Sequence, residues 1–390
     1  MCFALLQWGQ EPAKQRKEYA DGINSVKPNL ITIFLSGDVM TGRGIDQILA
    51  HPSDPAIQEP YVKDAREYVE LARRAGGLFN YPVDDSYIWG DALQEWERRA
   101  PDLRVINLET SITTSSDFWR GKSIHYRMHP GNAGVLAAAK VDVCALANNH
   151  VLDFGTSGLD ETLKTLERWK LKYAGAGRDQ REASKPVVLE TNGKRRIAVF
   201  SVGSESSGIP REWAATGDRA GVCLPENADS VIKRIQETTR PEDVVLVSIH
   251  WGSNWGYEIP SSQVELAHRL IDEAGADIVH GHSSHHVKGI EVYRNKLVLY
   301  GCGDFLNDYE GISGFEEFRG DLNLMYFVAV HPSGNVVQVS MVPTRMNRLK
   351  VTRASGAEAL WLQEVLNREG RRWGTSVELK EDNSLFLHYR

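Results

Sequence analysis

Short apolar runs rich in β-branched residues alternate with amphipathic segments along most of the chain. The runs have the length of buried strands and cover residues 31–35, 103–108, 141–146, 197–202, 244–249, 276–280 and 296–300. The segments between them place apolar residues at helical spacing and cover residues 64–74, 88–99, 158–169, 229–238 and 262–274. This alternation of strands and helices predicts an α/β fold.

The last part of the chain has a different pattern. Residues 322–330 and 336–342 read as two strands around the turn His331-Pro-Ser-Gly334, which predicts a β-hairpin. A helix is predicted over 357–368, and a final alternating stretch over 376–388. These late elements are too few for a core of their own. We therefore expect an N-terminal extension (1–28), one main domain (29–345) and a C-terminal extension (346–390) packed on it.

Composition and charge narrow the class of protein. Hydrophobic residues make up 42% of the 390 residues and charged residues 25%, values typical of globular proteins. Lys and Arg number 45 against 52 Asp and Glu, a net charge of −7. Because no overall basic field attracts phosphates, nucleic acid is not an expected partner.

The cysteines and the lengths of the apolar runs bear on the cellular location of the protein. The four cysteines are scattered without a C-x-x-C pair, so neither a disulfide framework nor a zinc ribbon is expected. No run reaches the roughly 18 apolar residues of a membrane span, and we recognise no signal peptide. A cytoplasmic protein without a membrane span is the resulting expectation, and the sequence predicts no oligomeric state.

Polar residues follow directly after several predicted strands, where α/β proteins place their sites. Asp38 offers a hard oxygen ligand, although a Gly-Asp pair is also common in turns and helix caps. Glu109 could bridge two cations or simply begin a helix. Asn149 offers a carbonyl ligand and His150 a group for general acid–base catalysis, or both belong to an Asn-rich turn before a helix.

Histidines concentrate after another predicted strand. The segment His280-Gly-His282-Ser-Ser-His285-His286 holds four of the chain's 12 histidines, and His250 ends the preceding strand. A loop of solvated histidines is the alternative to a metal site. Imidazoles favour Mn, Fe, Zn or Co, and nearby carboxylates add Mg or Ca. We expect a divalent metal centre of one or two ions.

Five short motifs occur in a fixed order between residues 32 and 308. They are Gly37-Asp38-Val-Met-Thr-Gly-Arg43, Asn107-Leu-Glu109, Ala147-Asn-Asn-His150, His250-Trp-Gly252 and Gly281-His282-Ser-Ser-His285. Together they resemble the capsule-synthesis CapA proteins, a family associated with poly-γ-glutamate and similar to calcineurin-like metallophosphoesterases. The resemblance implies a four-layer αββα sandwich of the metallo-dependent phosphatase type, with the metal centre at the edge of its two sheets.

The resemblance also implies roles for individual residues. It implies Asp38 and His285 on one metal, with Glu109 as the bridge. Asn149, His250 and His282 would hold the second metal, and His150 would be the acid or base. The chain departs from ordinary phosphoesterases at two of these positions, because Met40 stands where they have a histidine and Glu109 where they have an aspartate.

Residues near these motifs are candidates for substrate binding. Trp251 and Trp255 could form an apolar wall, although core packing is equally compatible with one of them. Arg43 could hold a carboxylate or phosphate, or form a surface salt bridge. Asp304 could orient a ligand histidine.

Two classes of function follow. The first is a metal-dependent enzyme that acts on a peptide or polyglutamate-like substrate, either by hydrolysis or, as in the lasso-peptide epimerases of the family, by Cα proton transfer. Epimerisation requires a second base besides His150, for which His286 and Asp38 are candidates. The alternatives are a noncatalytic module that binds a polyanion or peptide around a structural metal, and a phosphoesterase.

Overall fold

A computed structural model describes residues 30–191 and 195–390. The predicted N-terminal extension (1–28) therefore lies outside the described residues. The described chain is a mixed α/β protein built around two large mixed sheets. None of its helices combines the length and the apolar character that crossing a membrane requires.

The helices and strands follow in chain order. The strands are β1 (Ile31–Val39), β2 (Leu103–Leu108), β3 (Ser111–Ile112), β4 (Arg127–Met128), β5 (Val143–Ala145), β6 (Lys172–Ala174), β7 (Ala176–Gly177), β8 (Val187–Thr191), β9 (Arg195–Gly203), β10 (Gly221–Val222), β11 (Val244–His250), β12 (Ile278–His282), β13 (Ile290–Tyr293), β14 (Lys296–Leu299), β15 (Asp304–Leu306), β16 (Leu322–Val330), β17 (Val336–Met346), β18 (Val351–Arg353), β19 (Thr375–Leu379) and β20 (Leu385–Tyr389). The helices are α1 (Arg43–Ile48), α2 (Arg66–Gly76), α3 (Ala92–Arg99), α4 (Gly134–Ala138), α5 (Gly155–Arg168), α6 (Gln180–Ala183), α7 (Ala228–Thr238), α8 (Ser261–Asp272) and α9 (Gly356–Gly370).

The two large sheets differ in their strand order. The first runs β19-β20-β17-β16-β1-β2-β5-β6, with β15 also paired to β1 and β18 to β17. Within it, β1, β2, β5 and β6 are mutually parallel, whereas β16 pairs with β1 in the antiparallel sense. The second sheet runs β13-β14-β12-β11-β9-β8, and its strands β9, β11, β12 and β14 are parallel. In each sheet the parallel strands bring their carboxyl ends to one edge.

Alternating side chains of the strands divide the core into three clusters. Ile33 of the first sheet and Leu246 of the second belong to one cluster that both sheets share. Phe34, between Ile33 and Leu35, belongs to another cluster with residues of α1 to α5. The outward residues of the second sheet pack with α7 and α8. The period of two that marks strands in the sequence thus assigns each residue to one side of its sheet.

Most predicted elements are confirmed, with ends that differ by a few residues. The hairpin of β16 and β17 forms at the expected turn, where the N–H of Gly334 donates to the carbonyl of His331. Two predictions need correction. The stretch 376–388 is not one strand but the antiparallel pair β19 and β20, which reverses at Asn383 with φ +60°. The helix expected over 88–99 begins at Ala92, because Gly90 at φ +44° interrupts the helical backbone.

Candidate metal centre

Strand register brings the predicted polar residues to the sheet edges. Asp38, near the end of β1, stands beside Asn107 of β2 and Asp304 of β15. In the second sheet, His250 at the end of β11 stands beside His282 at the end of β12. Residues far apart in the chain therefore meet at neighbouring strand ends.

Asp38 is held in position from several sides. Its Oδ1 accepts a hydrogen bond of 2.7 Å from the Asn107 amide, whose own oxygen accepts one of 3.0 Å from Asn148. Its Oδ2 accepts a bond of 3.3 Å from the backbone N–H of Ser283. Ser283 has φ +97°, a strained conformation for a residue with a side chain. This strain at Ser283 is the kind that proteins retain at functional sites.

A chain of hydrogen bonds sets the protonation of His282. The His280 Nε2 donates to the carbonyl of Ser36 (2.7 Å), which leaves His280 Nδ1 as an acceptor. The Ser248 hydroxyl donates to that nitrogen at 3.1 Å and accepts from His282 Nε2 at 2.8 Å. The Nδ1 of His282 therefore carries a lone pair. A ligand histidine that is oriented through its other nitrogen is typical of metal sites.

His250 completes the buried histidine pair. Its Nδ1 lies 2.7 Å from the Nδ1 of His282, and its Nε2 lies 3.0 Å from the Oδ1 of Asn149. Two imidazole nitrogens at such a distance repel each other unless a proton or a cation is shared between them. Burial, above all, lowers the pKa of both imidazoles well below the ordinary value, so both are neutral at pH 7.

Two groups of three side chains bring metal-ligating atoms together. One group is Asp38, His250 and His282, the other is Asp38, His285 and Asp304, and within each the ligating atoms lie within 4.8 Å of one another. Asp38 belongs to both. The His285 Nδ1 lies 2.9 Å from the Asp304 carboxylate, and this carboxylate raises the pKa of His285 although burial opposes it.

This arrangement differs from the ligand assignment that the resemblance implied. The residue common to both groups is Asp38, and the bridging role of Glu109 stays a prediction. Glu109 lies at the side of the cluster, with its Oε1 3.9 Å from His250 Nε2 and 3.7 Å from His150 Nε2. Asp304, which the sequence suggested only as a residue that orients a histidine, is itself placed among the possible ligands.

The donor set suits a divalent cation. Burial, followed by the charge of Asp304, raises the pKa of Asp38 to about 7. Burial and Asp38 likewise raise the pKa of Glu109 well above its ordinary value. Carboxylates crowded in a buried space are costly to ionise without a compensating charge. A cation bound by these oxygens and by neutral imidazoles would supply that charge.

His150 lies next to the cluster in a network of its own. Its Nδ1 donates to Asp153 at 2.6 Å, so its Nε2 carries the lone pair on the side of Glu109. The Lys122 ammonium donates to Asp153 at 2.6 Å and also to the carbonyl of Asn149. Burial lowers the pKa of His150 to about 3, which keeps the imidazole neutral. A neutral imidazole held by a carboxylate through Nδ1 keeps the lone pair of Nε2 available as an acceptor.

Two predicted substrate residues are placed elsewhere. Arg43 is buried, with its guanidinium bound to Asp308 and, at 2.9 Å, to Glu59, so these internal carboxylates take the place of a substrate anion. Trp251 is a core residue that stacks on Tyr300 and donates to its carbonyl at 3.0 Å. An indole so enclosed presents no wall to a substrate, which corrects that expectation.

Trp255 and His286 lie next to His285 in a group of aromatic rings. Trp255 is half-buried and stacks on Phe315 at 4.2 Å between ring centroids, and it also contacts the ring of His285 at 5.3 Å. His286 is buried against Phe318, with ring centroids 4.8 Å apart, and does not join either group of possible ligands. Because aromatic rings enclose it, the imidazole is not positioned to act as the second base that epimerisation requires.

The Met40 position, where phosphoesterases have a histidine, has a structural use. Its sulfur accepts a hydrogen bond of 3.1 Å from the N–H of Gly42. Asp153, which was not among the predicted site residues, orients His150. In the sequence, its position three residues after His150 was the indication that the two side chains could meet. Tyr126, which stacks on His150 at 3.8 Å, was missed because stacking between distant segments leaves no trace in sequence spacing.

Comparisons with known proteins agree with the resemblance. Residues 32–309, which include every member of both ligand groups, match the family described as bacterial capsule synthesis protein PGA_cap. A probable polyglutamine synthesis accessory protein of Mycobacterium tuberculosis is 47% identical over 365 residues, 92% of this chain and 96% of the relative. The PGA biosynthesis protein CapA of Bacillus subtilis is 25% identical over 358 residues, 90% of this chain and 81% of the relative. The capsule biosynthesis protein CapA of Bacillus anthracis is 27% identical over 302 residues, 75% of this chain and 64% of the relative.

Proposed function

We propose a metal-dependent reaction for this protein, which belongs to the family of the bacterial capsule synthesis protein PGA_cap. The observation that carries the proposal is the pair of ligand groups that share Asp38, with His150 beside them. The relatives' names refer to polyglutamine and PGA biosynthesis. We infer a peptide or poly-γ-glutamate-like chain as the substrate.

The proposal extends to the fold. Two sheets that share one core cluster, each with helices packed on its other side, are consistent with a four-layer αββα sandwich of the metallo-dependent phosphatase type. In such a sandwich the strand ends of both sheets meet at one edge. This supports the assignment of the metal centre to the carboxyl ends of β1, β11 and β12 and the first residue of β15.

The residues of the chain have distinct tasks in the proposed reaction. His250 and His282 hold the cation with Asp38, and His285 with Asp304 offers the neighbouring position. When bound, a divalent ion there would polarise a substrate carbonyl. His150 accepts a proton at Nε2, and Asp153 holds the imidazole in the tautomer that leaves this nitrogen free.

Elemental analysis of the purified protein tests the metal. Wild-type protein should contain a divalent transition metal, and His282→Ala should lose most of it. His331→Ala, which removes an exposed imidazole in the β16–β17 turn, is the matched control. A His282→Ala variant with wild-type metal content and affinity would show that the proposed ligand set is wrong.

Mass spectrometry of peptides and poly-γ-glutamate incubated in deuterated water tests the chemistry. Hydrolysis adds the mass of water across a cleaved bond, whereas epimerisation introduces solvent deuterium at a Cα without cleavage. His150→Ala should keep the metal and lose at least ~10²-fold in rate, the usual contribution of general acid–base catalysis. An active His150→Ala enzyme contradicts the mechanism. Wild-type protein that binds these chains without turnover would instead be the noncatalytic module.

The proposed location is the cytoplasm. Cys144, Cys223 and Cys302, the cysteines that the structure describes, are all free, which supports a reducing compartment. Intact-mass measurement after thiol labelling of protein from its native host tests this. Labelling of every cysteine is expected, and oxidised pairs would contradict it.

A further inference from the structure

Tyr126 and Tyr309 form a pair of phenols beside the candidate metal centre. Their hydroxyl oxygens are 2.5 Å apart. The Tyr126 ring stacks on His150 at 3.8 Å between centroids, and the Tyr309 ring meets His285 edge-on at 5.5 Å. The phenol pair therefore connects the proposed acid–base residue with a possible metal ligand.

Counting protons shows what this pair has left to donate. Two phenols carry two hydroxyl protons, and the hydrogen bond between them uses one. Among the described residues, neither hydroxyl has a hydrogen-bond acceptor other than its partner. One O–H proton therefore remains for a ligand. The phenol that keeps this proton accepts the hydrogen bond from the other phenol, and accepting a bond makes its own O–H a stronger donor.

Burial keeps the pair in the donor state. It raises the pKa of both phenols well above the ordinary value, although the charge of Arg43 opposes the rise, so both stay protonated at neutral pH. The guanidinium of Arg43 lies 4.9 Å from the centroid of the Tyr126 ring and 5.5 Å from that of Tyr309. That guanidinium is already paired with Asp308 and Glu59, so the free hydroxyl proton, not a positive charge, is what the pair offers a ligand.

We propose that Tyr126 and Tyr309 form an oxyanion subsite, in which the remaining O–H donates to a substrate oxygen that carries or gains negative charge. In the proposed reaction this is the carbonyl oxygen beside the atom that loses a proton or is attacked by water. The inference rests on the proposed function for the identity of that oxygen.

Binding of inorganic phosphate, an oxyanion probe, tests the subsite without requiring turnover. Calorimetric titration of the full-length protein loaded with Mn²⁺ should show phosphate binding that weakens ~10-fold or more in Tyr126→Phe/Tyr309→Phe, the usual effect of a lost hydrogen bond to a charged group. Phe keeps the stacking on His150. The control is Tyr389→Phe, which removes a phenol bonded at 2.8 Å to the carbonyl of Val336 in the C-terminal part of the first sheet. Metal content should be unchanged in all variants.

The single replacements identify the donor. Removing the phenol that faces the ligand should cause most of the loss, and removing its partner a smaller one. If the double variant does not fold, at least one single variant must weaken phosphate binding ~10-fold. Binding within twofold of wild type in the variants, or no phosphate binding by the wild type, overturns the subsite. Loss of phosphate binding in a protein that turns over no substrate would keep the subsite and reject the proposed reaction.

Discussion

Gly37 makes the tightest backbone contact at the candidate metal centre, and this contact predicts the effect of one added methyl group. A Cβ at Gly37 would lie 1.6 Å from the carbonyl oxygen of Gly303 and 2.5 Å from its carbon. Ordinary contacts of a Cβ begin at 3.4 Å. Both atoms belong to backbone, so no side-chain rotation relieves the overlap. Gly37→Ala must therefore push β1 and the segment before β15 apart.

The cost follows from what that separation breaks. Forcing a methyl group into a packed interior costs about 1–3 kcal/mol. The hydrogen bond of 3.0 Å from the N–H of Asp38 to the carbonyl of Gly303 contributes about 1 kcal/mol more. We expect Gly37→Ala to lower the free energy of unfolding by ~2–4 kcal/mol. Because Asp38 moves with its backbone, metal affinity should also fall, by ~10-fold or more.

Urea denaturation and metal titration measure the two effects. Gly217→Ala is the matched control, because a Cβ at Gly217 meets no atom within 4 Å. The control should change stability by less than about 1 kcal/mol. Wild-type stability and metal affinity in Gly37→Ala would refute the argument, since the two backbone segments would then not be in contact.

Three further predictions concern charges in and around the site. Asp153→Asn should retain the metal but lower the rate by ~10² or more, because the imidazole that it orients loses its tautomer; steady-state kinetics with metal analysis checks this, and an unchanged rate contradicts it. Arg43→Met should destabilise the protein by ~3–5 kcal/mol in urea, because Asp308 and Glu59 are left buried without a cation; a change below about 1 kcal/mol would show that these carboxylates are compensated elsewhere. In metal-free protein, the free energy of unfolding should fall as the pH rises from about 4 to about 7, relative to Asp38→Asn. Burial raises the folded-state pKa of this carboxyl from 3.8 to about 7, so the unfolded chain releases the proton at a lower pH than the folded one. Unfolding in chelator at several pH values checks the last, and Mn²⁺ should abolish the fall.

Local patterns in the sequence were sufficient for most of the longer strands and helices and for several residues of the candidate site. The apolar run that became β1 reads as a strand because Ile31, Ile33, Phe34 and Leu35 are buried on one side or the other of a sheet. Polar residues directly after such runs, among them Asp38 and His250, had to lie at strand ends. The parallel direction of the strands brings such residues to one edge within each sheet, and the packing of the two sheets then brings the edges together. Family motifs then related these ends to a known kind of metal centre.

The sequence did not distinguish between a buried and a substrate-facing position for residues that suit both environments. Arg43 and Trp251 were expected to face a substrate, yet both are enclosed by groups from distant segments. The carboxylates that pair with Arg43 and the ring that stacks on Trp251 come close to them only when the chain folds. Sequence spacing contains no information about such non-local partners, as the contact between Arg43 and Asp308 illustrates.

The sequence by itself thus determined which strands form and which ligand types stand at their ends, because burial and strand period act between near neighbours in the chain. Only the tertiary structure decided which atoms converge. The registers of β1 with β2 and β15 place Asp38 beside Asn107 and Asp304. Register depends on the packing of whole sheets, and a slip of one residue would turn Asp38 to the other face of its sheet. Which carboxylate is common to the two groups of possible ligands is therefore a property of the fold.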